Sequence, residues 1–265
     1  MSDMTFDGMT VLMTGASGGF GKSATRMFAE RGARLVLSDV NETALKAHAE
    51  ALQADGFEVV TITGSVADEA HCQATVDLAM ETFGRLDVAI NNAGMSHNPG
   101  KVHEVDSARA QDTIQINLMG VFYGMKHQIP AMLAGHQADQ QTRSILNLAS
   151  LAGIGGAPTM SMYAAAKHGV VGLTKSAALE YARKGLRINC LCPSFARTPI
   201  VTEGLLDGSD EDAEKEKFLT RGIPMRRLAE PEEITQSMLW ICDPKNSFMT
   251  GQAVALDGGT SAMGR

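Results

Sequence analysis

Short apolar runs alternate with longer amphipathic stretches along this chain, and the alternation predicts its elements. Runs of about five residues fall at Thr10–Thr14, Arg34–Ser38, Glu58–Ile62, Asp87–Asn91, Ser144–Ala149, Arg187–Leu191 and Ala253–Leu256. Between them apolar positions recur at helical spacing, over 20–31, 42–54, 68–83, 107–134, 162–183 and 231–242. Strands alternating with helices predict repeated βα units and a parallel sheet. The runs are continuously apolar, as expected when helices cover both sheet faces. Two segments break the rhythm. Thr198–Arg227 is long and carries the acidic Asp207–Glu216 stretch, and the polar Gly135–Thr142 reads as a solvated turn.

Composition adds limits to this picture. The 265 residues suffice for one α/β domain or two smaller ones, with a core that needs no staples. No repeat, low-complexity tract or linker divides them. A net charge of −7 argues against nucleic acid or an anionic membrane as partner. No apolar run approaches the ~20 residues of a membrane span, and Met1–Thr10 lacks the pattern of a signal peptide. The four cysteines show no CxxC spacing, so reduced, buried thiols in a cytoplasmic protein are expected, with Cys190 and Cys192 on one side of a strand. Seven histidines scattered without ligand spacing predict no metal.

The chemistry concentrates at Tyr163-Ala-Ala-Ala-Lys167, with Ser150 thirteen residues before the tyrosine. On a helix, a spacing of four puts phenol and ammonium on one face. A free tyrosine titrates near ~10, and lowering it by about three units takes ~4 kcal/mol. One cation at roughly 4 Å, in an effective dielectric of about 20, supplies that order of energy. Ser150 adds a neutral hydroxyl for a substrate oxygen. As a short motif alone, the pair is more often a chance surface contact, and the rest of the chain reverses that reading.

The first βα turn, Thr14-Gly15-Ala16-Ser17-Gly18-Gly19-Phe20-Gly21, follows an apolar strand and opens a helix. Its glycines let the main chain approach a pyrophosphate at the helix N-terminus. Asp39, 24 residues after Gly15, stands where an acid accepts from an adenosine ribose, or where it caps the next helix. A 2′-phosphate there meets a carboxylate, so NAD is expected over NADP.

In order, Thr14-Gly-x-x-x-Gly19-x-Gly21, Asn91-Asn92-Ala93-Gly94, Ile116-Asn117-Leu118, Ser150, Tyr163-x-x-x-Lys167, Pro193 with Thr198, and Leu256-Asp257-Gly258-Gly259 resemble the compact short-chain dehydrogenase/reductase family from Thr10 to Gly259. The resemblance implies a single doubly wound, Rossmann-like domain with a seven-stranded parallel sheet flanked by helices; the long segment at about 198–227 reads as a substrate lid or as a solvated insertion. It implies Tyr163 as general acid/base and Lys167 as the residue that lowers its pKa and bonds the nicotinamide ribose. It implies Ser150 as holder of the substrate oxygen and Asn117 as part of a water relay. Gly15, Ser17, Gly18, Gly19, Phe20, Gly21, Asp39, Ser65, Val66, Asn91, Ala93, Gly94, Pro193, Phe195 and Thr198 would hold the cofactor. Met95, Ala152 and Met160 would line the substrate pocket with Ser150 and Tyr163, joined by His97, Gly153 and Ile154.

Two departures stand out. Ser65-Val66 occupies the place of a common acid–valine pair, which predicts weaker adenine recognition. Pro193-Ser194 replaces a frequent Pro-Gly, which predicts an altered backbone if a positive φ is needed. The expected partner is a small or medium apolar secondary alcohol or ketone, cyclic or aromatic. A 3-oxoacyl-thioester reductase and a non-catalytic NAD-binding regulator are the rival readings. Apolar faces at Ile114, Leu118, Val121, Phe122 and Met125, and at Val170, Val171, Leu173, Ala177 and Ala178, read as core or as the helix pairing of a homotetramer.

Overall fold

The computed structural model describes residues 5–96, 98–202 and 212–263. Seven parallel strands form one sheet: β1 (Thr10–Thr14), β2 (Arg34–Asp39), β3 (Val59–Thr63), β4 (Val88–Asn91), β5 (Arg143–Leu148), β6 (Leu186–Pro193) and β7 (Ala253–Leu256). Their order is β3-β2-β1-β4-β5-β6-β7. The helices are α1 (Gly19–Ala29), α2 (Glu42–Ala54), α3 (Glu69–Phe83), α4 (Ser107–Ile114), α5 (Gly120–Asp139), α6 (Ser161–Tyr181), α7 (Pro199–Thr202), α8 (Asp212–Thr220) and α9 (Pro231–Cys242). Among the described residues no helix is long and apolar enough to cross a membrane.

Side chains alternate across the sheet and build two cores. Val11, Met13, Leu146, Leu148 and Leu191 pack with Ala24 and Phe28 of α1 and Ile234 and Met238 of α9. Leu12, Ala89, Ile145, Cys190 and Cys192 face Val76 of α3, Met125 of α5 and Val170 of α6. The central strands are fully buried, as continuous apolar runs predict. Edge strand β3 differs: Thr61 and Thr63 are exposed, at the edge where the strand has a neighbour on one side only. β1 pairs with both β2 and β4, so the strand order reverses there and a crevice opens beyond the carboxyl ends of β1 and β4.

The long helix expected over 107–134 is two helices joined by a π-type turn, Gln115–Met119, where the Gly120 N–H donates to Gln115 O. The solvated turn expected at Gly135–Thr142 is mostly helix, since α5 runs to Asp139 and ends at Gln140 with φ 60°. Two contacts hold that last turn. Asp139 pairs with buried Arg143 at 2.8 Å, and the space a Gly135 Cβ would fill lies 2.9 Å from the same guanidinium. Of the two apolar stripes, Val121, Met125, Val170, Val171, Ala177 and Ala178 are core. Phe122 stays exposed on α5 and Leu179 on α6.

Candidate active site

The crevice floor is made by β1, β4 and the turns that follow them. Gly15 adopts φ +65°, and a Cβ there would stand 2.9 Å from Ala93 Cα, so only glycine lets the two turns touch. A Cβ on Gly21 would lie within bonding range of Gly15 O, which seats α1 directly on the turn. Thr14 Oγ1 accepts from the N–H groups of Asn92 and Ala93 at 3.1 Å, and Asn92 Nδ2 donates to Thr14 O and Gly15 O at 3.0 Å. At the N-terminus of α1, Gly18 supplies no side-chain cap and the first turn holds no acid. The leading N–H groups of Gly19, Phe20 and Gly21 are thus available to an anion.

Asp39 ends β2 beside this turn. Its Oδ2 accepts from Ser17 N–H at 2.9 Å and its Oδ1 from Asn41 N–H at 3.0 Å. The residue that caps α2 is Asn41, which accepts from Ala44 N–H, so the capping reading of Asp39 falls. The floor therefore fits a dinucleotide: a diphosphate has open N–H groups, and a ribose has a carboxylate at the neighbouring strand end. Ser65 Oγ is turned to Ala67 N–H at 3.2 Å, and Val66 packs against Gly120, whose missing Cβ would lie 2.7 Å from Val66 Cγ2.

The Asn91 side chain turns away from the crevice. Its buried amide donates to Asn147 Oδ1 at 2.9 Å and to Gln128 Oε1 at 3.1 Å, and it accepts from Gln128 Nε2 at 2.8 Å. The side chain points beneath the sheet toward α5, on the same face as Ala89, and leaves the crevice. Strand alternation carried the signal, and Asn92, one residue on, is the asparagine that braces the glycine-rich turn.

Ser150, Tyr163 and Lys167 meet at the end of β5. The chain turns at Ser150, whose Oγ accepts from Ala152 N–H at 3.2 Å and caps the short turn Leu151–Gly153. A Gly153 Cβ would sit 2.7 Å from Lys167 O, so this turn packs on the α6 backbone and Gly153 is buried there. Lys167 is buried, donates to Leu148 O at 2.6 Å and holds its Nζ 5.7 Å from the centre of the Tyr163 ring. Burial lowers the ammonium's pKa to about 8, with the Cys192 and Cys190 thiols on β6 opposing the shift. Tyr163 does not show the expected lowering. Burial raises its pKa, and a hydrogen bond with the Ser150 hydroxyl opposes this. The lysine is itself desolvated and spends a donor on Leu148, so in the cofactor-free protein the phenol stays protonated, suited to giving a proton.

Asn117 sits in the π-type turn with no exposed surface. Its Nδ2 donates to Met95 O and Thr113 O at 2.9 Å, and its Oδ1 accepts from Met95 N–H at 3.2 Å. A Gly94 Cβ would lie 2.8 Å from Asn117 Oδ1 and 3.6 Å from Lys167 Nζ, so the segment after β4 passes directly between them. The side chain's donors serve the protein backbone, which makes Asn117 a brace for Gly94 and Met95 before anything else. Met95, Ala152 and Met160 are half-buried, and Ile154 is exposed. His97 lies outside the described residues, as does 203–211 of the expected lid.

On the far wall, Pro193 closes β6, Phe195 exposes its ring and Thr198 is buried, its carbonyl accepting the N–H groups of Val201 and Thr202 at 2.8 Å. Ser194 does not take a positive φ, so the change from glycine leaves the backbone unstrained. Arg197 clamps α8 to the start of α9, binding Glu216 at 2.8 and 3.0 Å and Glu230 at 3.3 Å.

A family model described as enoyl-(acyl carrier protein) reductase matches residues 15–261. The cyclohexanol dehydrogenase of Acinetobacter sp. (strain SE19) is 37% identical over 253 residues, 96% of this chain and 95% of that protein. The cis-4-hydroxycyclohexanecarboxylate dehydrogenase of Sinomonas cyclohexanicum is 36% identical over 252 residues, 95% of this chain and 96% of that protein. A crystal structure of levodione reductase superposes with a TM-score of 0.91 at 35% identity, covering 98% of this chain and 100% of that one.

Proposed function

The chain belongs to the short-chain dehydrogenase/reductase family, oxidoreductases of alcohols and ketones, and from that premise we propose that it moves a hydride between NAD(H) and a cyclic secondary alcohol or ketone. The observation that carries this is the meeting of Ser150, Tyr163 and Lys167 at the mouth of a crevice whose floor suits a dinucleotide. The ring substrate rests on the half-buried apolar lining at Met95, Ala152 and Met160, and on the names of the relatives. NAD rests on Asp39, because a 2′-phosphate beside that carboxylate is repelled.

In oxidation Tyr163 accepts the substrate's hydroxyl proton at its phenolate oxygen, and in reduction the phenol gives it back. The Ser150 hydroxyl holds the substrate oxygen, and the Lys167 ammonium keeps positive charge near the phenol. When bound, the oxidised nicotinamide supplies the hydride acceptor and a positive charge beside that phenol. Asn117 holds Met95, and with it the segment after β4, in place.

The test is reduced-cofactor formation with cyclohexanol, a linear secondary alcohol and a 3-hydroxyacyl thioester. Ring alcohols should turn over fastest with NAD. Turnover of the thioester alone would transfer the assignment to acyl-thioester chemistry, and inertness toward all three would leave a binding protein. Exposed Phe122 and Leu179, with Trp240 on α9 and Phe248 before β7, support a homotetramer.

A further inference from the structure

We infer that the Ser194 hydroxyl is a second anchor in the substrate pocket, selecting ring alcohols and ketones that carry another oxygen away from the reacting carbon. This rests on the ring-substrate reading above.

The direction of the side chain follows from the ladder. Cys190 N–H donates to Gln252 O at 2.8 Å and Ser194 N–H to Leu256 O at 3.1 Å, so the chain stays extended for one residue past β6. Residues of a strand whose N–H groups point to the same neighbour also send their side chains to the same face. Ser194 thus shares the face of Cys190 and Cys192, which pack in the core beneath α5 and α6. That is the face covered by α6, the helix of Tyr163 and Lys167, whose Nζ already reaches the adjacent strand at Leu148 O. Ser194 stands one step further out than buried Cys192, half-buried where the sheet ends and the crevice begins.

The hydroxyl is also unspent. Among the described residues nothing bonds to Ser194 Oγ, while its small polar neighbours are engaged: Ser150 with Ala152 N–H and Thr198 with Ala196 O. A ligand that covers such a hydroxyl with hydrocarbon strips its water and returns nothing. A ring with a single oxygen commits that atom to Ser150 and Tyr163 and does just this. A ring with a second hydroxyl or carbonyl supplies the missing partner. Because serine both donates and accepts, it serves either form. The second oxygen is untouched by the hydride step, so the anchor holds equally for substrate and product.

The experiment compares kcat/KM for cyclohexane-1,4-diol and cyclohexanol, with NAD, in wild type and in the Ser194→Ala, Ser194→Gly and Ser194→Thr variants. The diol-to-cyclohexanol ratio should fall roughly tenfold in the alanine and glycine variants, mainly through the diol's KM, and recover with threonine. An unchanged ratio overturns the proposal alone. A matching rise in the Kd for NADH, read by fluorescence titration, overturns it by assigning the hydroxyl to the cofactor. Wild-type enzyme inert toward both rings, yet active on a linear alcohol or a thioester, would sink the ring reading and this proposal with it.

Discussion

Replacing Lys167 by methionine isolates the cost of holding a charge beside the Tyr163 phenol. The unfolded chain keeps that ammonium protonated up to its ordinary value of 10.5, the folded chain only up to about 8. Between those values the unfolded state binds the extra proton, so wild-type stability rises with pH across the window, by about 1.4 kcal/mol per unit. Below about 8 both states are protonated and the whole penalty, about 3 kcal/mol, is present. Methionine has nearly the same length and no titrating group. It also forfeits the bond to Leu148 O, a pH-independent loss of about 1–3 kcal/mol. Urea unfolding followed by Trp240 fluorescence, from about pH 7 to pH 10, gives the difference between the two proteins. That difference should be flat below about 8 and then climb in favour of wild type as pH rises. A flat difference throughout would mean that Lys167 titrates as in water, and the account of a desolvated ammonium would be wrong.

Tyr163→Phe should abolish nearly all turnover while leaving the Kd for NADH within about twofold, because the change removes the proton carrier and little else. Retained turnover would exclude Tyr163 as the acid/base. Asp39→Ser should shift the NAD:NADP ratio of kcat/KM toward NADP by an order of magnitude or more, as the repulsion at the ribose disappears. An unaltered ratio would confine Asp39 to bracing Ser17 and Asn41. Light scattering should give four times the chain mass, and a monomer would show that Phe122 and Leu179 are simply solvated.

How far the fold could be read depended on what each residue's neighbours contribute. β1 and β7 match their expected bounds because apolar runs of that length have one use in a buried sheet. Tyr163 and Lys167 meet because helical spacing alone brings them together. The end of α5 was hidden, since Asp139 looks like loop composition until buried Arg143 pairs with it. The direction of the Asn91 side chain was hidden because a motif read residue by residue ignores which face of the strand each position serves. The protonated state of Tyr163 was out of reach for a different reason. Burial comes from everything packed around the ring, and no spacing within one segment reports it.

The widened turn at Gln115–Met119 carries one residue more than regular winding needs, and this surplus makes length here a functional variable. Removing Leu118 or Met119 would restore a continuous α-helix that is easier to form, yet it would rotate Asn117 relative to α5 and release Met95. Substitutions along the helix surface can be absorbed one at a time, whereas a single-codon deletion trades the reactive architecture for a tidier coil.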